Sequence, residues 1–598
     1  MENILQLSED GKTLIEVLDK SVAHITIPDG VTMIGESAMF LCRSLQSVDI
    51  PASVTTIGEA AFAHCSSLQR VNIPNGVTSI GDDAFQCCTS LQRVDIPNSV
   101  TSIGKCAFEG CKSLQSIDIA DGVTSIGSVA FSDCVSLVEV NIPDSVTSIG
   151  AATFRDCTSL QRVVISKLVT KIEDSFNGCS SLKSIDISDS VTSLGKWNFS
   201  GCDSLQSINV SAGNQHFVSV DGVLFDKDLT KIIKMPKACR FQEFCIPASV
   251  VEIEEFAFEG CASLQSVTIP EGVTSILGKA FSGCSSLQSV TIPEGVTSIA
   301  YDAFSGCSSL QSVTIPEGVT SIGLAAFSDC FSLQSINIPD SVTTIGDMAF
   351  ENCNSLTEVN LGNGITSIGL AAFSGCASLQ SINIATQNQH FVFKEGVLFN
   401  KDLTQIVSVL SACKFETYSI ADGIVEILDG AFKGCTSLQR VDIPDSVTMI
   451  GSWAFEGCKS LQSVNIPDGV TEINRGCFQD CTSLQSIEIP DSVTSIYKYA
   501  FDGCTSLQSI DIPESVTYIE RFAFQRCFAL QSIYVHCEYV EDLDFEYGAF
   551  CGDYDEENDE YYNDYCDKCT LYVPWGTEFD YRSVPAFDEF ENVIEEEI

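Results

Sequence analysis

The sequence contains no long hydrophobic run and few basic or imidazole side chains. Its 598 residues include 31 Lys and Arg, 5 His and 3 Trp, against 80 Asp and Glu. No apolar stretch approaches the roughly 20 residues that a helix needs to cross a bilayer. The N-terminal MENILQLSEDGKTLIEV has neither the basic nor the apolar region of a signal peptide. These absences argue against membrane insertion and against a cleaved leader.

The scarcity of basic side chains gives the chain a formal net charge of −49 at pH 7. Nucleic-acid binding requires Lys and Arg to neutralise phosphates, so we exclude that class of partner. An acidic surface favours cationic partners or divalent cations. The five His show no Ser/His/Asp or Cys/His pattern. We therefore predict no catalytic residue, no enzyme activity and no cofactor.

A 23-residue unit recurs along almost the whole chain. A fixed period of this length is typical of a solenoid, in which each turn buries its apolar face against its neighbours. Most of the 29 Cys follow the same period, and we predict that they form a buried column of free thiols. Free thiols in such number favour a reducing compartment. The register is set by the Ile of the Ile-Pro pair or its equivalent, for example at Ile27, Ile50, Ile73, Ile96, Ile119, Ile142 and Ile165.

The repeat at 264–284 predicts the structure of one turn. Val267-Thr268-Ile269 alternates as a short strand, and a proline ends it because proline has no N–H to donate. Glu271-Gly272 predicts a tight turn. Val273 to Ile276 predicts a second short strand on another face, and Ala280 to Cys284 predicts a single helical turn.

The pattern LxxVxIPxxVxxIgxxAFxxC resembles the BspA-like leucine-rich repeat family. The resemblance implies a leucine-rich-repeat solenoid with a parallel β-sheet on its inner face, short second strands and single helical turns elsewhere, with β-hairpin insertions. It also implies a non-enzymatic binding or scaffold protein that acts in protein–protein interaction or adhesion through the solenoid surface. Carbohydrate or extracellular-matrix recognition at a cell surface, with divalent cations involved, is the alternative. The resemblance favours a cell-surface or secreted location, whereas the absent signal peptide and many free Cys favour the cytoplasm.

The register breaks at two equivalent places, where NQHFVSVDGVLFDKDLTKI and NQHFVFKEGVLFNKDLTQI are inserted 174 residues apart. Both segments predict β-hairpins, and the N-terminus carries a similar piece. These features predict the domain organisation. It comprises an N-terminal hairpin cap at 1–26, a leucine-rich repeat solenoid at 27–535 with hairpin inserts at 211–245 and 385–419, and an acidic loop and C-terminal cap at 536–598.

The acidic loop leaves several possibilities open. Cys566 and Cys569 form a lone C-x-x-C, with Cys537 and Cys551 upstream, and the sequence does not say whether these four are paired, bind zinc or are free thiols. Asp553, Asp555 and Asp559 are weak metal candidates, because the glycine of a calcium loop is replaced by Asn. Near the end, Phe587 and Phe590 predict a short helix that covers the last turn.

The candidate binding residues lie on the inner sheet face. The residues before and after each strand's Val project from that face, and most are small and polar, without the Trp, Tyr and Arg clusters of binding hot spots. A solvated sheet with Ser, Thr and Asn cross-strand pairs therefore stays an alternative. We expect a monomer that binds a protein, with a cationic partner favoured. The predicted site residues are Arg70, Asn72, Arg93, Asp95, Arg162, Arg440 and Asp442.

Overall fold

The computed structural model describes residues 4–596 except 538, 541–542, 547, 551–552, 556–559, 563–567, 585 and 588–589, and it describes only the backbone at 553–555 and 560–562. The chain forms two compact units, Met1–Leu287 and Gln288–Ile598. Within each unit the strands of successive turns pair in parallel, which confirms the predicted solenoid. The three-part division at residues 26 and 535 stays a prediction.

The turn at 264–284 shows how the sequence determines the local structure. Ser266–Thr268 forms the first strand, and the N–H of Val273 donates to the carbonyl of Pro270 at 3.0 Å, which closes the predicted tight turn. Ser275–Ile276 forms the second strand. Val267, Ile269, Val273 and Ile276 are buried, whereas Thr268, Glu271, Gly272 and Thr274 are exposed. Each turn therefore contributes one strand to each of two sets, which we call the first sheet and the second sheet.

The strands of the first sheet contain the repeat's Val or its equivalent and pair turn to turn within each unit. In the first unit they are His24–Thr26, Ser47–Asp49, Arg70–Val71, Arg93–Ile96, Ser116–Ile119, Glu139–Asn141, Arg162–Val164, Ser184–Ile187, Ser207–Val210, Glu243–Cys245 and Ser266–Thr268. In the second unit they are Ser289–Thr291, Ser312–Thr314, Ser335–Ile338, Glu358–Leu361, Ser381–Ile384, Thr417–Ser419, Arg440–Asp442, Ser463–Val464, Ser509–Ile512, Ser532–Val535, Thr570–Pro574 and Asn592–Glu596.

The strands of the second sheet are mostly two residues long. In the first unit they are Met33–Ile34, Thr56–Ile57, Ser79–Ile80, Ser102–Ile103, Ser125–Ile126, Ser148–Ile149, Lys171–Ile172, Ser193–Leu194, Glu252–Ile253 and Ser275–Ile276. In the second unit they are Ser298–Ile299, Ser321–Ile322, Thr344–Ile345, Ser367–Ile368, Glu426–Ile427, Met449–Ile450, Glu472–Ile473, Ser495–Ile496, Tyr518–Ile519 and Asp544–Phe545.

The predicted hairpins join the second sheet. In the first insert, Phe217–Val220 and Lys231–Lys234 both pair antiparallel with Val223–Asp226, and Lys231–Lys234 then pairs in parallel with Glu252–Ile253. The second insert repeats this arrangement with the strands Phe391–Lys394, Val397–Asn400 and Gln405–Val409. At the N-terminus the strands Leu5–Leu7 and Thr13–Val17 form the corresponding hairpin. A third strand, preceding each inserted hairpin, was not predicted.

The segment that ends at the repeat's Cys, which we call the loop edge, consists of turns, so the predicted single helical turn was wrong. The N–H groups of Ala60 and Phe62 donate to the carbonyls of Asp82 and Ala84 in the next turn, both at 2.8 Å. Ala60 reaches this geometry with a φ of 49°. Because these N–H groups point along the stack, they cannot donate to the carbonyl four residues back, as an α-helix requires.

Within the described residues, α-helix occurs only at Glu578–Tyr581. Phe587 and Phe590 themselves lie outside that helix, and residues 588–589 between them are not described. Both rings cover Phe550 of the last loop-edge turn, at centroid distances of 5.5 and 6.1 Å. The N–H of Phe590 donates to the carbonyl of Phe587 at 3.3 Å. No helix in the described part of the chain has the length and apolar character that membrane spanning requires.

Two buried columns run along the loop edge. The repeat's Phe rings stack turn on turn, as Phe108, Phe131 and Phe154 do with centroids 5.4 and 5.5 Å apart. Beside them each Cys thiol donates to the Phe carbonyl of the preceding turn, for example Cys88 to Phe62 at 3.1 Å. The predicted column of buried thiols is confirmed, and the thiols act as hydrogen-bond donors as well as apolar filling. The described cysteines carry no disulfide.

We expect Phe131→Ala to lower the free energy of unfolding by about 3–5 kcal/mol, because the ring is fully buried between two others and its removal leaves a cavity. Urea denaturation followed by circular dichroism measures the change. Phe331→Ala is the control, because 43% of that side chain is exposed. We expect it to cost less than about 1 kcal/mol. Equal losses in the two variants would contradict the stacked column.

Thiol reactivity should follow burial. Burial raises the pKa of Cys284 and of Cys435 to about 12, whereas Cys245 is exposed. Because the thiolate is the nucleophile, iodoacetamide at pH 8 should label Cys245 in the native protein and the two buried thiols only after unfolding. Peptide mass mapping measures the labelling, with Cys245→Ser as the control. Rapid labelling of Cys284 in the native state would overturn this prediction.

Candidate functional site

Arg70 and Arg93 lie side by side on the exposed face of the first sheet. Arg70 is paired in register with Arg93 on the adjacent parallel strand. The Val that follows each arginine is buried, and successive side chains of a strand point to opposite faces. Both arginines therefore face solvent, as the 23-residue spacing predicts.

Four of the predicted residues line one shallow depression. Arg70, Asn72, Arg93 and Asp95 surround a volume of about 470 Å³. The depression is open to solvent on the sheet face, and its walls carry both signs of charge. Further lining comes from residues of the same strands and the preceding turn, Ser47, Asp49, Gln69 and Gln92. The structure therefore brings these four residues together, and their role in binding stays a prediction.

Arg93 is an ion-pair bridge between two strands. Its Nε lies 2.8 Å from Oδ1 of Asp95, and its Nη2 lies 2.9 Å from Oδ2 of Asp118 on the next strand. The hydrogen bond to Asp95 is the main reason that the pKa of Arg93 is raised. Arg70 forms no ion pair within the described residues. Asp49, which also lines the depression, contacts His24: Nε2 of His24 lies 3.2 Å from Oδ2 of Asp49.

The remaining predicted residues lie elsewhere. Arg162 extends the same face, and its Nη1 lies 3.0 Å from Oε1 of Glu139 on the preceding strand. Arg440 and Asp442 belong to the second unit, where Nε and Oδ1 are 2.7 Å apart within one strand. The hydrogen bond from Arg440 lowers the pKa of Asp442. The structure therefore does not bring this pair together with the depression at Arg70.

Sequence reasoning omitted Asp118 and Glu139 from the site, although they occupy the same register positions as Asp95 and Arg93. The 23-residue period places both on the exposed face, but the predicted site does not include them. It also missed a depression of about 580 Å³ between the second insert and the strand Thr417–Ser419, which includes Phe399 and Tyr418. Burial raises the pKa of Tyr418 there. No periodic signal predicts this depression, because it depends on how the insert packs.

Metal-ligand chemistry is sparse in the described part of the chain. Asp83, Cys106 and Glu109 place ligand atoms within 4.8 Å of one another. Burial is the main cause that raises the pKa of Cys106 to about 12, so its thiol is protonated near neutral pH in the structure as described. Of the predicted metal candidates, Asp553 and Asp555 belong to a strand with only its backbone described, and Asp559 lies outside the described residues.

The structure describes two of the four Cys residues in and beside the acidic loop. Cys537 and Cys569 are both buried. The hydroxyl of buried Tyr581 donates to the carbonyl of Cys537 at 2.6 Å, which ties the segment before the acidic loop to the C-terminal residues. Cys551 and Cys566 lie outside the described residues, so their state stays a prediction.

A sequence profile described as BspA type leucine rich repeat region matches the chain in six overlapping copies, at residues 18–138, 101–220, 234–345, 274–403, 322–424 and 406–531. The chain belongs to the BspA-type leucine-rich repeat family. Repeats of this family form solenoids that are typically non-enzymatic, and they are consistent with a protein-interaction or adhesion scaffold. No curated protein matches the chain significantly.

Several solved structures are similar to this BspA-type chain. A leucine rich cell surface protein from Faecalibacterium prausnitzii A2-165 is 31% identical, the match covering 64% of this chain and 92% of that one with a TM-score of 0.47. The pneumococcal vaccine antigen PcpA is 17% identical over 100% and 98%, with a TM-score of 0.36. A leucine-rich repeat protein from Bacteroides ovatus ATCC 8483 is 22% identical over 86% and 97%, with a TM-score of 0.23.

The exposed ion pairs of this BspA-type chain should contribute little to stability. Arg93 is 62% exposed, so Arg93→Ala should shift the thermal midpoint by less than about 2 °C.

The ion pair between Arg526 and Asp502 is different, because the side chain of Asp502 is 3% exposed. Arg526→Ala should lower the free energy of unfolding by about 3 kcal/mol because it leaves that carboxylate unpaired. Calorimetry compares the two variants. A large loss for Arg93→Ala would assign it a structural role.

Proposed function

We propose that this chain is a non-enzymatic binding scaffold that engages a protein with a basic contact surface through the exposed face of the first sheet. The observation that carries the proposal is the group of exposed carboxylates on the first-sheet strands of the first unit. Asp49, Asp95, Asp118 and Glu139 are each more than half exposed. The chain's formal net charge of −49 has the sign that attracts such a partner.

The arginines on this face would set the register of the partner. Arg93 fixes Asp95 and Asp118 by charge-assisted hydrogen bonds, which holds their remaining oxygens in defined positions. Arg70, which lies one strand away, would repel a cation and so limits where a partner's Lys or Arg can bind. The face thus combines attraction with a local repulsive element. We further propose that the chain acts as a monomer.

The test measures binding of octalysine by isothermal titration calorimetry at 0.15 M salt. The variant with Asp95→Asn, Asp118→Asn and Glu139→Gln should bind at least about fivefold more weakly than the parent protein, because it loses the carboxylates that the ligand contacts. The matched control carries Glu271→Gln, Glu294→Gln and Glu317→Gln, three exposed carboxylates in the tight turns. It loses the same charge and should bind within about twofold of the parent.

Two results would contradict the proposal. Equal losses in the two triple variants would mean that only the overall charge attracts the peptide. Tight binding of octaglutamate that Arg70→Glu with Arg93→Glu abolishes would mean that the face recognises an acidic partner. The double charge reversal should strengthen octalysine binding if the proposal holds.

A further inference from the structure

Three basic side chains occupy one register position in consecutive turns of the second unit. Arg475, Lys498 and Arg521 are 23 residues apart, and each is the second residue after the Ile of a second-sheet strand. In no other three consecutive turns is this position basic, and in several it is acidic, as at Glu36 and Glu59. We call Arg475, Lys498 and Arg521 the cation row.

Aromatic rings beside the cation row hold its members in place. The guanidinium carbon of Arg475 lies 5.4 Å from the ring centroid of Trp453 and 5.7 Å from that of Tyr499. Nζ of Lys498 lies 4.7 Å from the Tyr499 ring, and the guanidinium of Arg521 lies 5.6 Å from the Phe522 ring. Such contacts attract cations to ring faces. Each basic group is thereby ordered without being neutralised.

No member of the cation row forms an ion pair with a carboxylate among the described residues. Two carboxylates of the following turns accept backbone N–H groups of the row: Glu520 accepts from Lys498 at 3.0 Å and Glu546 from Arg521 at 3.2 Å. Cations that serve stability in this unit look different. Lys433, for example, lies 3.2 Å from carboxylate oxygens of both Glu351 and Glu456. In a chain this acidic, three ordered cations without such partners indicate a surface for an anionic ligand.

The backbone at the cation row is already used by the solenoid. The N–H of Trp453 donates to the carbonyl of Arg475 at 2.8 Å, and the N–H of Gly476 donates to that of Lys498 at 3.0 Å. A peptide therefore cannot bind here by adding a strand to a free edge. Recognition has to come from the side chains, and these present the same charge once per turn.

We propose that the cation row binds a linear acidic polysaccharide with one carboxylate on each sugar, lying along the stack of turns. Phe478, Phe501 and Phe524 in the same turns stack at 5.5 and 5.0 Å, which sets the spacing that a ligand's charges must match. An extended acidic peptide repeats its same-side groups about every 6.6–6.8 Å, which is wider than the spacing of these turns. A polymer with a charge on every unit presents its anions at a constant spacing.

Two further properties fit this ligand. The half-buried rings of Trp453 and Tyr499 offer amphipathic surface against which the aliphatic face of a sugar can pack. Remote carboxylates of the chain act weakly on a ligand at the cation row, because physiological salt screens charges that lie more than about 8 Å away. The surface goes beyond the proposed function, since it uses other residues and an oppositely charged ligand.

The test titrates the full chain with an oligogalacturonate of eight sugars at 0.15 M salt. We expect binding of the acid form and none of the fully methyl-esterified form, which has the same rings without the charge. The variant R475A/K498A/R521A should bind the acid form at least about tenfold more weakly. The control R43A/K112A/K459A removes three exposed basic groups elsewhere and should stay within about twofold of the parent.

A second readout places the ligand at the row. The change in tryptophan fluorescence on binding should disappear in Trp453→Phe, which keeps a ring beside Arg475, while the affinity stays within about threefold. Equal binding of the methyl-esterified oligomer, or equal losses in the two triple variants, would overturn the proposal. Tighter binding of octaglutamate or of an octathymidylate than of the oligogalacturonate would do so too, and would assign the row to an acidic peptide or to single-stranded nucleic acid.

Discussion

Backbone hydrogen bonds join each turn to the following turn, and they determine where the rest of the structure lies. They occur in the first sheet, in the second sheet and at the loop edge, where Phe85 donates to Ala107 as Phe62 does to Ala84. The approach of the turns is so close that a Cβ on Gly104 would lie 2.5 Å from the backbone nitrogen of Asp82. Glycine is required there for that reason. Turns held this tightly cannot slide past one another, so each register position becomes a straight line of side chains.

The lines of side chains explain both the core and the surface. Inside, the lines are the Phe column and the thiol column, in which Cys111 donates to the carbonyl of Phe85 at 3.2 Å. Outside, threonine hydroxyls donate in the same way, as Thr78 does to the carbonyl of Thr55 at 3.2 Å. The charged lines lie on different faces, with carboxylates on the first sheet of the first unit and the cation row in the second unit. A single substitution in such a line changes the side chain of one turn and leaves the spacing of the other turns unchanged.

The 23-residue period was sufficient to predict the solenoid, the two strands per turn, the hairpins and the in-register arginines Arg70 and Arg93. It was not sufficient at the loop edge, because the spacing of Ala280 and Phe281 suits a helical turn as well as a chain of turns. Hydrogen bonds to a neighbouring turn decide between these two structures, and the sequence of a single repeat does not reveal them. The insert depression near Tyr418 was unpredictable for a related reason, since it depends on packing that no repeat shares. The partners of Arg93, by contrast, were readable from register alone.

The thiol–carbonyl bond of each turn spans 26 residues, whereas the unit that repeats spans 23. If the sequence is cut at any point within a run of turns, donors are separated from their acceptors. If it is rejoined at the equivalent point 23 residues away, every donor again has an equivalent acceptor. Gain or loss of whole units by recombination should thus leave a foldable chain, with a different number of rungs in each line. The inserts break this exchangeability, because residues 59 apart, such as Lys196 and Glu255 at 3.0 Å, bridge across the first of them. The number of turns between the inserts can therefore change by such exchange, whereas the inserts themselves cannot be exchanged for a plain turn.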